Sequence, residues 1–417
     1  MARLRSKSGS YDQGIIASSS APSAAFVGQI WFNSATGVVY QWTTDGASNF
    51  WLDISSGGIG TSASRGVDFV GDTDPHKSTS TSGAGLAVGS VYYNREKNRH
   101  FICTNATTDG NLWSGRFDAG GGTVTDYESG GTKYRVHSFL TSGVFTVEEA
   151  TTVDYLVIAG GGAGASDGAT TGGGGGGAGG MLTSSGTSGG GASAGSALSM
   201  AAGTSYTITV GAGGIGSSSR SDDGSNGSNS SISGTGITDV VATGGGRASY
   251  SQGANAHNGG SGGGSQFNGE GGNAVSPTQG YDGWTLSGNQ GSLSKHPGGG
   301  GGGAGGAGGA ATGGTGGNGG LALANSLRTG SAVYYAGGGG GGTGASGATR
   351  EGYGGGVASG NKGGGADGGE KNTTVGGDNA IANTGGGGGG SSLASNVRAP
   401  KGGNGGSGIV VIRYTLT

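Results

Sequence analysis

The sequence predicts an all-β protein with non-canonical glycine-rich structure: small N-terminal β-modules, then a β-sandwich-like cap on a bundle of polyglycine II helices. Three observations carry this. Six glycines run uninterrupted at 172–177, 298–303, 337–342 and 385–390, in a chain of 417 residues that holds 112 glycines. Outside those runs, short stretches alternate toward strands between turn residues, and helical periodicity is limited to a turn or two at Leu321–Leu327. The chain closes in a strongly apolar strand, Gly408-Ile-Val-Val-Ile-Arg-Tyr-Thr415, which argues for a folded body rather than a flexible linker.

The first sixty residues read as a short polar arm and a strand-rich unit. Gly28-Gln-Ile-Trp-Phe-Asn33 is a strand, Ser34-Ala-Thr-Gly37 a turn, Val38-Val-Tyr-Gln-Trp42 a second strand, and Phe50-Trp-Leu-Asp-Ile54 closes the unit. The pattern recurs at Gly89-Ser-Val-Tyr-Tyr-Asn94, a turn at Arg95–Asn98, a strand at Arg99–Thr104, and Leu112-Trp113. These are two β-meander modules, each too small to bury a sheet face alone. Gly57–Leu86 and Ala119–Thr132 read as linkers. Then come strands at Tyr134–Phe139, Val144–Glu148, Val153–Ala159, Ser205–Val210 and Thr238–Ala242.

Collagen would need a strict three-residue period and abundant proline, and the chain has five prolines. A polyglycine II helix has the polyproline II geometry, so six residues make about 19 Å of helix whose amides all point outward. Packed side by side without side chains, such helices satisfy one another's amides. A bulky residue inside a run would push two helices apart.

Lys and Arg number 21 against 24 Asp and Glu, a formal net charge of −3, so no basic surface argues for nucleic acid. No segment approaches transmembrane length, and no membrane insertion is expected. Met1-Ala-Arg-Leu-Arg-Ser-Lys7 is basic without a following apolar stretch, unlike a signal peptide. Cys103 is the only cysteine, so intrachain disulfides are excluded.

Asp154-Tyr-Leu-Val-Ile-Ala-Gly160-Gly-Gly162-Ala-Gly-Ala165 matches a dinucleotide fingerprint on its face. The chemistry requires a helix directly after it, and Ser166–Gly180 is mostly glycine; no cofactor is expected. The carboxylates Asp72/Asp74, Glu148/Glu149, Asp222/Asp223 and Glu351 are weak candidates for hydrolysis, and no catalysis is expected. His76, His100, His137, His257 and His296 lie far apart without zinc spacing, and a solvated turn is preferred over calcium at Asp72-Thr-Asp74.

Insertions between glycine runs cannot fit inside a bundle and must emerge at its ends. They carry Tyr250, His257, Phe267, Tyr281, Trp284 and His296 in one excursion, Arg328, Tyr334 and Tyr335 in a second, Arg350, Glu351, Tyr353 and Lys362 in a third, and Leu393, Arg398 and Lys401 in a fourth. Exposed aromatics among Arg, Asn and Ser suit recognition loops. The competing reading folds Trp284 and the Tyr334-Tyr335 pair back as hydrophobic caps.

Val153-Asp-Tyr-Leu-Val-Ile-Ala-Gly-Gly-Gly162 and Gly405-Gly-Ser-Gly-Ile-Val-Val-Ile-Arg-Tyr414 resemble the opening and closing strands of the glycine-rich domain of bacteriophage tail-fibre adhesins. The N-terminal modules are similar to repeats in tail-fibre proteins of cyanobacterial phages. The resemblance implies a receptor-binding protein made in the host cytoplasm and carried on the virion. Residues 1–60 would attach to the tail or baseplate, 61–132 extend it, and 133–417 form the adhesive head. The expected partners are a host surface glycan or outer-membrane protein and a phage tail or baseplate protein, with a homotrimer expected. The alternatives are a non-viral structural or ice-binding glycine-helix protein, and a glycan-cleaving tail spike.

Overall fold

The computed structural model of the chain describes residues 16–22, 29–35, 38–44, 49–53, 69–76, 86–97, 99–107, 111–115, 119–166, 171–217, 219, 224–249, 253–266, 269–285, 296–344, 351–357, 360–370, 376–392 and 401–416. They fall in two compact units, Met1–Phe117 with Leu416–Thr417, and Asp118–Thr415. The described part is all-β, with several small open sheets and no α-helix.

The first unit holds both expected modules, and their likeness extends further than the sequence suggests. In the first, β1 (Ile16–Ser18) lies parallel to β2 (Ile30–Asn33), which continues antiparallel to β3 (Val38–Thr44) and β4 (Asn49–Asp53). In the second, β5 (Phe69–Gly71) lies parallel to β6 (Val91–Asn94), followed by β7 (Arg99–Asn105) and β8 (Leu112–Gly115). Matching aromatic side chains tie down each parallel strand: Trp31 Nε1 donates to Ser18 O at 3.1 Å, and Tyr92 Oη to Thr73 O at 2.9 Å. β5 lies inside Gly57–Leu86, so that stretch is not wholly a linker; its remaining residues up to 85 lie largely outside the described ones. A buried cluster of Phe69, Tyr92 and Phe101 holds the second module together.

Ala119–Thr132 is not a linker either. It supplies β9 (Ala119–Gly120) and β10 (Thr123–Ser129), and β10 forms a hairpin with β11 (Thr132–Phe139). Gly130 and Gly131 turn this hairpin with φ of +59° and +79°, which favours glycine. Arg135 on β11 makes paired 2.9 Å bonds to Asp126 on β10, with both side chains buried.

Two sheets form the second unit's cap. One runs β10–β11–β21–β13–β14, with β13 (Thr151–Ile158), β14 (Met181–Thr183) and β21 (Ile409–Thr415); β15 (Leu198–Met200) also pairs with β13. The other runs β18–β17–β16–β12–β9, with β12 (Gly143–Val147), β16 (Thr204–Thr209), β17 (Ser230–Ser233) and β18 (Val240–Ala242). The strands expected near 134, 144, 153, 205, 238 and 409 are all present, with ends moved by up to two residues. His137 and Phe139 meet Phe145 between the sheets, ring centroids 5.0 and 6.5 Å apart. The first sheet's opposite face carries Val136, Leu156, Ile158, Ile409 and Val411.

That face sits on the end of the glycine bundle. Ala178, Met181, Ala304 and Ala336, which follow or precede glycine runs, pack on it together with Leu327 and Tyr335. Leu327 and Tyr335 come from a short excursion that contains β19 (Leu323–Asn325) and β20 (Val333–Tyr335), a hairpin where a turn of helix was conceivable.

The bundle is made of backbone. The 172–177 run donates to the 296–302 segment from Gly172, Gly175 and Ala178. It donates to the 385–391 segment from Gly173, Gly176 and Gly179, and to 243–246 from Gly177 and Gly180. Each neighbour recurs every third residue, which is the three-per-turn geometry of polyglycine II. The same run accepts from Gly162 and Ala165, from Ser261 and Gly264, and from Gly339 and Gly342, all these bonds being 2.7–3.0 Å long. It is therefore enclosed on every side. The other three six-glycine runs are enclosed in the same way: 298–303 bonds 336–342, 337–342 bonds 172–176, and 385–390 bonds 337–340 and 403–406.

Candidate functional site

The bundle defines two ends and a flank, and these decide what each non-glycine residue can do. At the sheet end lies the apolar cluster just described. The far end is built from small polar residues: Gln266 Nε2 donates to Ser166 O at 2.8 Å, and Ser166 Oγ to Ser219 O at 3.1 Å. Thr171 bridges His296, whose carbonyl accepts from Gly172 N, and Ser391 N donates to Ala165 O. The described residues bracketing 167–170, 267–268, 286–295 and 393–400 thus converge on one end of the bundle.

The residues expected to bind do not gather in one place. Tyr250, Phe267, Arg350 and Arg398 lie outside the described residues. His296 belongs to the far end, but it is buried against Thr171 rather than presented to solvent. Arg328, Tyr334 and Tyr335 lie in the excursion at the opposite, sheet end. Alternation along β20 exposes Tyr334 and buries Tyr335, which is a core residue and not a loop contact. Here the hydrophobic-cap reading holds for Tyr335 and not for Tyr334.

His257, Tyr281, Trp284 and Tyr353 occupy the flank. His257 is exposed and its Nε2 lies 2.8 Å from an Arg247 guanidinium nitrogen. The Trp284 ring lies over Gly299, so close that a Cβ there would come within 2.4 Å of Cε3. Lys362 Nζ sits 6.0 Å from the Tyr353 ring centroid and bonds Asp367.

The flank also shows a device that aromatic residues do not reveal. A peripheral helix has no outer neighbour to accept its amides, and side-chain oxygens take that place. Asn226 and Asn229 accept from Arg247 N and Gly244 N at 3.0 and 2.9 Å; Asn255 and Asn258 accept from Glu270 N and Asn273 N at 3.0 and 2.7 Å. Asp282 and Thr285 do the same for Ala274 N and Gly271 N. The signal was present in the sequence as Asn pairs three residues apart, one helical turn of polyglycine II.

The candidate carboxylates are differently placed. Asp72 makes paired bonds to Arg95, which holds its carboxyl below the usual range, and Asp74 is buried and accepts from Asn94 at 2.8 Å. Asp222 and Asp223 lie outside the described residues. Glu351, Asp367, Glu370 and Asp378 line a cleft of about 340 Å³. Burial pushes the Glu351 and Asp378 carboxyls up, assisted at Glu351 by Glu370 and at Asp378 by Asp367. Among the described residues, no group of three or more His, Cys, Asp or Glu is arranged to hold a metal ion. After β13, residues 159–166 continue as a glycine helix bonded to 174–180, not as the α-helix a dinucleotide site requires.

These features define an all-β protein in which open sheets cap a bundle of polyglycine helices. Residues 139–415 match the family described as glycine-rich domain, and the chain belongs to that family. A search of curated proteins found no match.

Proposed function

We propose that the chain is a phage tail-fibre or receptor-binding protein that attaches a virion to a bacterial surface through segments at the ends of its glycine helices. One observation carries this reading. The bundle interior admits no side chain larger than those of Ala and Ser, so the large or charged residues described between runs lie at an end or on the flank. Such a body keeps its shape while the emergent segments differ, as recognition loops on a rigid scaffold do. The small polar far end, where the brackets of several insertions converge, is the favoured face for the receptor. The receptor is a surface glycan or an outer-membrane protein, and attachment strength comes from many copies on one particle. In this reading the N-terminal modules join a tail or baseplate protein, and the assembly is a homotrimer.

The test is retention of the fluorescently labelled full chain by a panel of bacterial strains, each beside a mutant lacking surface polysaccharide, with the medium assayed for released sugar. Strain-selective retention without sugar release supports an adhesin. Release of sugar would replace it with a glycan-cleaving spike, and retention by no strain would leave a purely structural fibre.

A further inference from the structure

A second recessed surface lies at the sheet end, away from the segments just discussed. It is a groove of about 660 Å³ between β15, β18 with the loop preceding it, and the turn holding Pro277 and Gln279. That volume falls within the range of small-molecule sites. Its turn is fixed in place: the Gln279 side chain accepts from Thr243 N at 2.8 Å and donates to Val241 O at 3.3 Å, while its carbonyl accepts from Met181 N. Gln279 therefore caps the outer edge of β18 and ties it to β14, so this wall is preformed.

Tyr155 reaches the groove from the sandwich interior. The residue is 6% exposed, and its hydroxyl lies beside Gly195 at the groove wall. Its ring is buried while its hydroxyl opens onto the groove, where it is free to bond a ligand. Burial also raises its pKa, so it stays a neutral donor. Around it the lining supplies hydroxyls from Ser196, Ser199 and Thr238, the Asp239 carboxylate, and apolar surface from Leu198 and Val241. Among the described residues, no basic side chain lines the groove. Closely spaced hydroxyls, one carboxylate acceptor and small apolar patches complement a ligand whose hydroxyls alternate with C–H faces, and they repel an anion.

The geometry points to a binding site for an uncharged saccharide of one to three rings, with Tyr155 and Asp239 as its hydrogen-bonding groups. The site is independent of the host-attachment reading, because none of the segments invoked there lines it.

The experiment applies the labelled full chain to a printed array of neutral and anionic mono- to tetrasaccharides, followed by calorimetric titration with the best-retained neutral compound. Neutral compounds should be retained and anionic ones not. Val241→Arg, on the exposed rim, and Leu198→Trp, which fills the groove, should each weaken retention at least tenfold. Tyr155→Phe should weaken it by about threefold to tenfold, the loss of one neutral hydrogen bond. Leu198 is half-buried, so Val241→Arg carries the test if Leu198→Trp fails to fold. Retention of no neutral compound, preference for anionic ones, or retention unchanged in Val241→Arg and Tyr155→Phe would each overturn the assignment. Running the variants through the cell-retention assay separates the two sites: a groove variant that loses saccharide but still holds cells leaves attachment elsewhere.

Discussion

Adding one methyl group inside the bundle should destabilise it, although glycine-to-alanine changes in accommodating backbone usually do the opposite. A Cβ on Gly175 would stand 2.0 Å from Gly339 O and 2.5 Å from its carbonyl carbon. Ordinary contact requires the 337–342 run to withdraw by roughly 1.5 Å. That movement breaks the 2.9 Å bond from Gly339 N to Gly176 O and strains the equal bond from Gly342 N to Gly173 O. Overpacking costs about 1–3 kcal/mol and each buried bond left unmade about 1–3 kcal/mol. The restricted unfolded chain returns only about 0.4–1 kcal/mol. Gly175→Ala should therefore lose about 1–5 kcal/mol.

Gly306→Ala is the control. The three atoms nearest its Cβ all belong to Leu321, at 3.4–3.5 Å, so it should be neutral or stabilise by up to about 1 kcal/mol. Hydrogen exchange followed by mass spectrometry on the full chain reads local opening at 172–180 and 336–344, and does not require the two units to unfold together. If Gly175→Ala exchanges within about 0.5 kcal/mol of wild type, or if Gly306→Ala loses as much, the closely packed bundle is wrong.

Three further outcomes are expected. Asn229→Ala should cost about 1 kcal/mol and speed exchange at Gly244, whose N–H it strips of an acceptor, whereas Asn229→Asp keeps the oxygen and the protection. His137 titrates at about 4 in the fold because burial disfavours its imidazolium, against an ordinary 6.5. The unfolded chain thus takes up the proton first. Stability should be full above about pH 6.5 and fall toward pH 4 by about 3 kcal/mol, and His137→Gln should flatten that slope in denaturant melts. Asp126→Ala leaves Arg135 charged and buried and should cost about 3–5 kcal/mol, with much of it recovered in an Asp126→Leu, Arg135→Met double variant.

The body of the fold was legible because glycine runs admit few solutions. Once a run cannot bury side chains and has no internal bonds, only lateral packing satisfies its amides, and each six-glycine run is enclosed by neighbours in the structure. Strands such as β11, β13 and β21 were legible from uninterrupted apolar or alternating sequence. β5, β14, β15 and β19 were not, since three residues beside glycine or serine carry almost no periodic signal and owe their pairing to a neighbour. Ala119–Thr132 misled for a related reason: Gly120, Gly121 and Gly122 suggest a linker, yet Thr123–Ser129 gains its partner from the strand that follows.

Neighbour choice within the bundle was invisible for a deeper reason. Identical residues carry no register, so nothing in 172–177 tells it to lie parallel to 298–303 and antiparallel to 337–342 and 385–390. What fixes direction lies outside the runs, in the apolar residues that anchor one end of each. Ala178 and Met181 follow their run into the sheet face; Tyr335 and Ala336 precede theirs and occupy the same face. A run with its anchor after it must point toward the sheets, and a run with its anchor before it must point away. The same logic explains why Tyr335 was mistaken for a binding residue. An aromatic beside a glycine run has two fates, and the side on which the run begins decides them: at the sheet end it is an anchor, and only at the far end or on the flank is it free to meet a ligand. Exchanging Tyr335 for Leu should therefore leave cell retention unchanged while loosening the start of the 337–342 run, and a selective loss of retention without such loosening would show that anchoring is not its role.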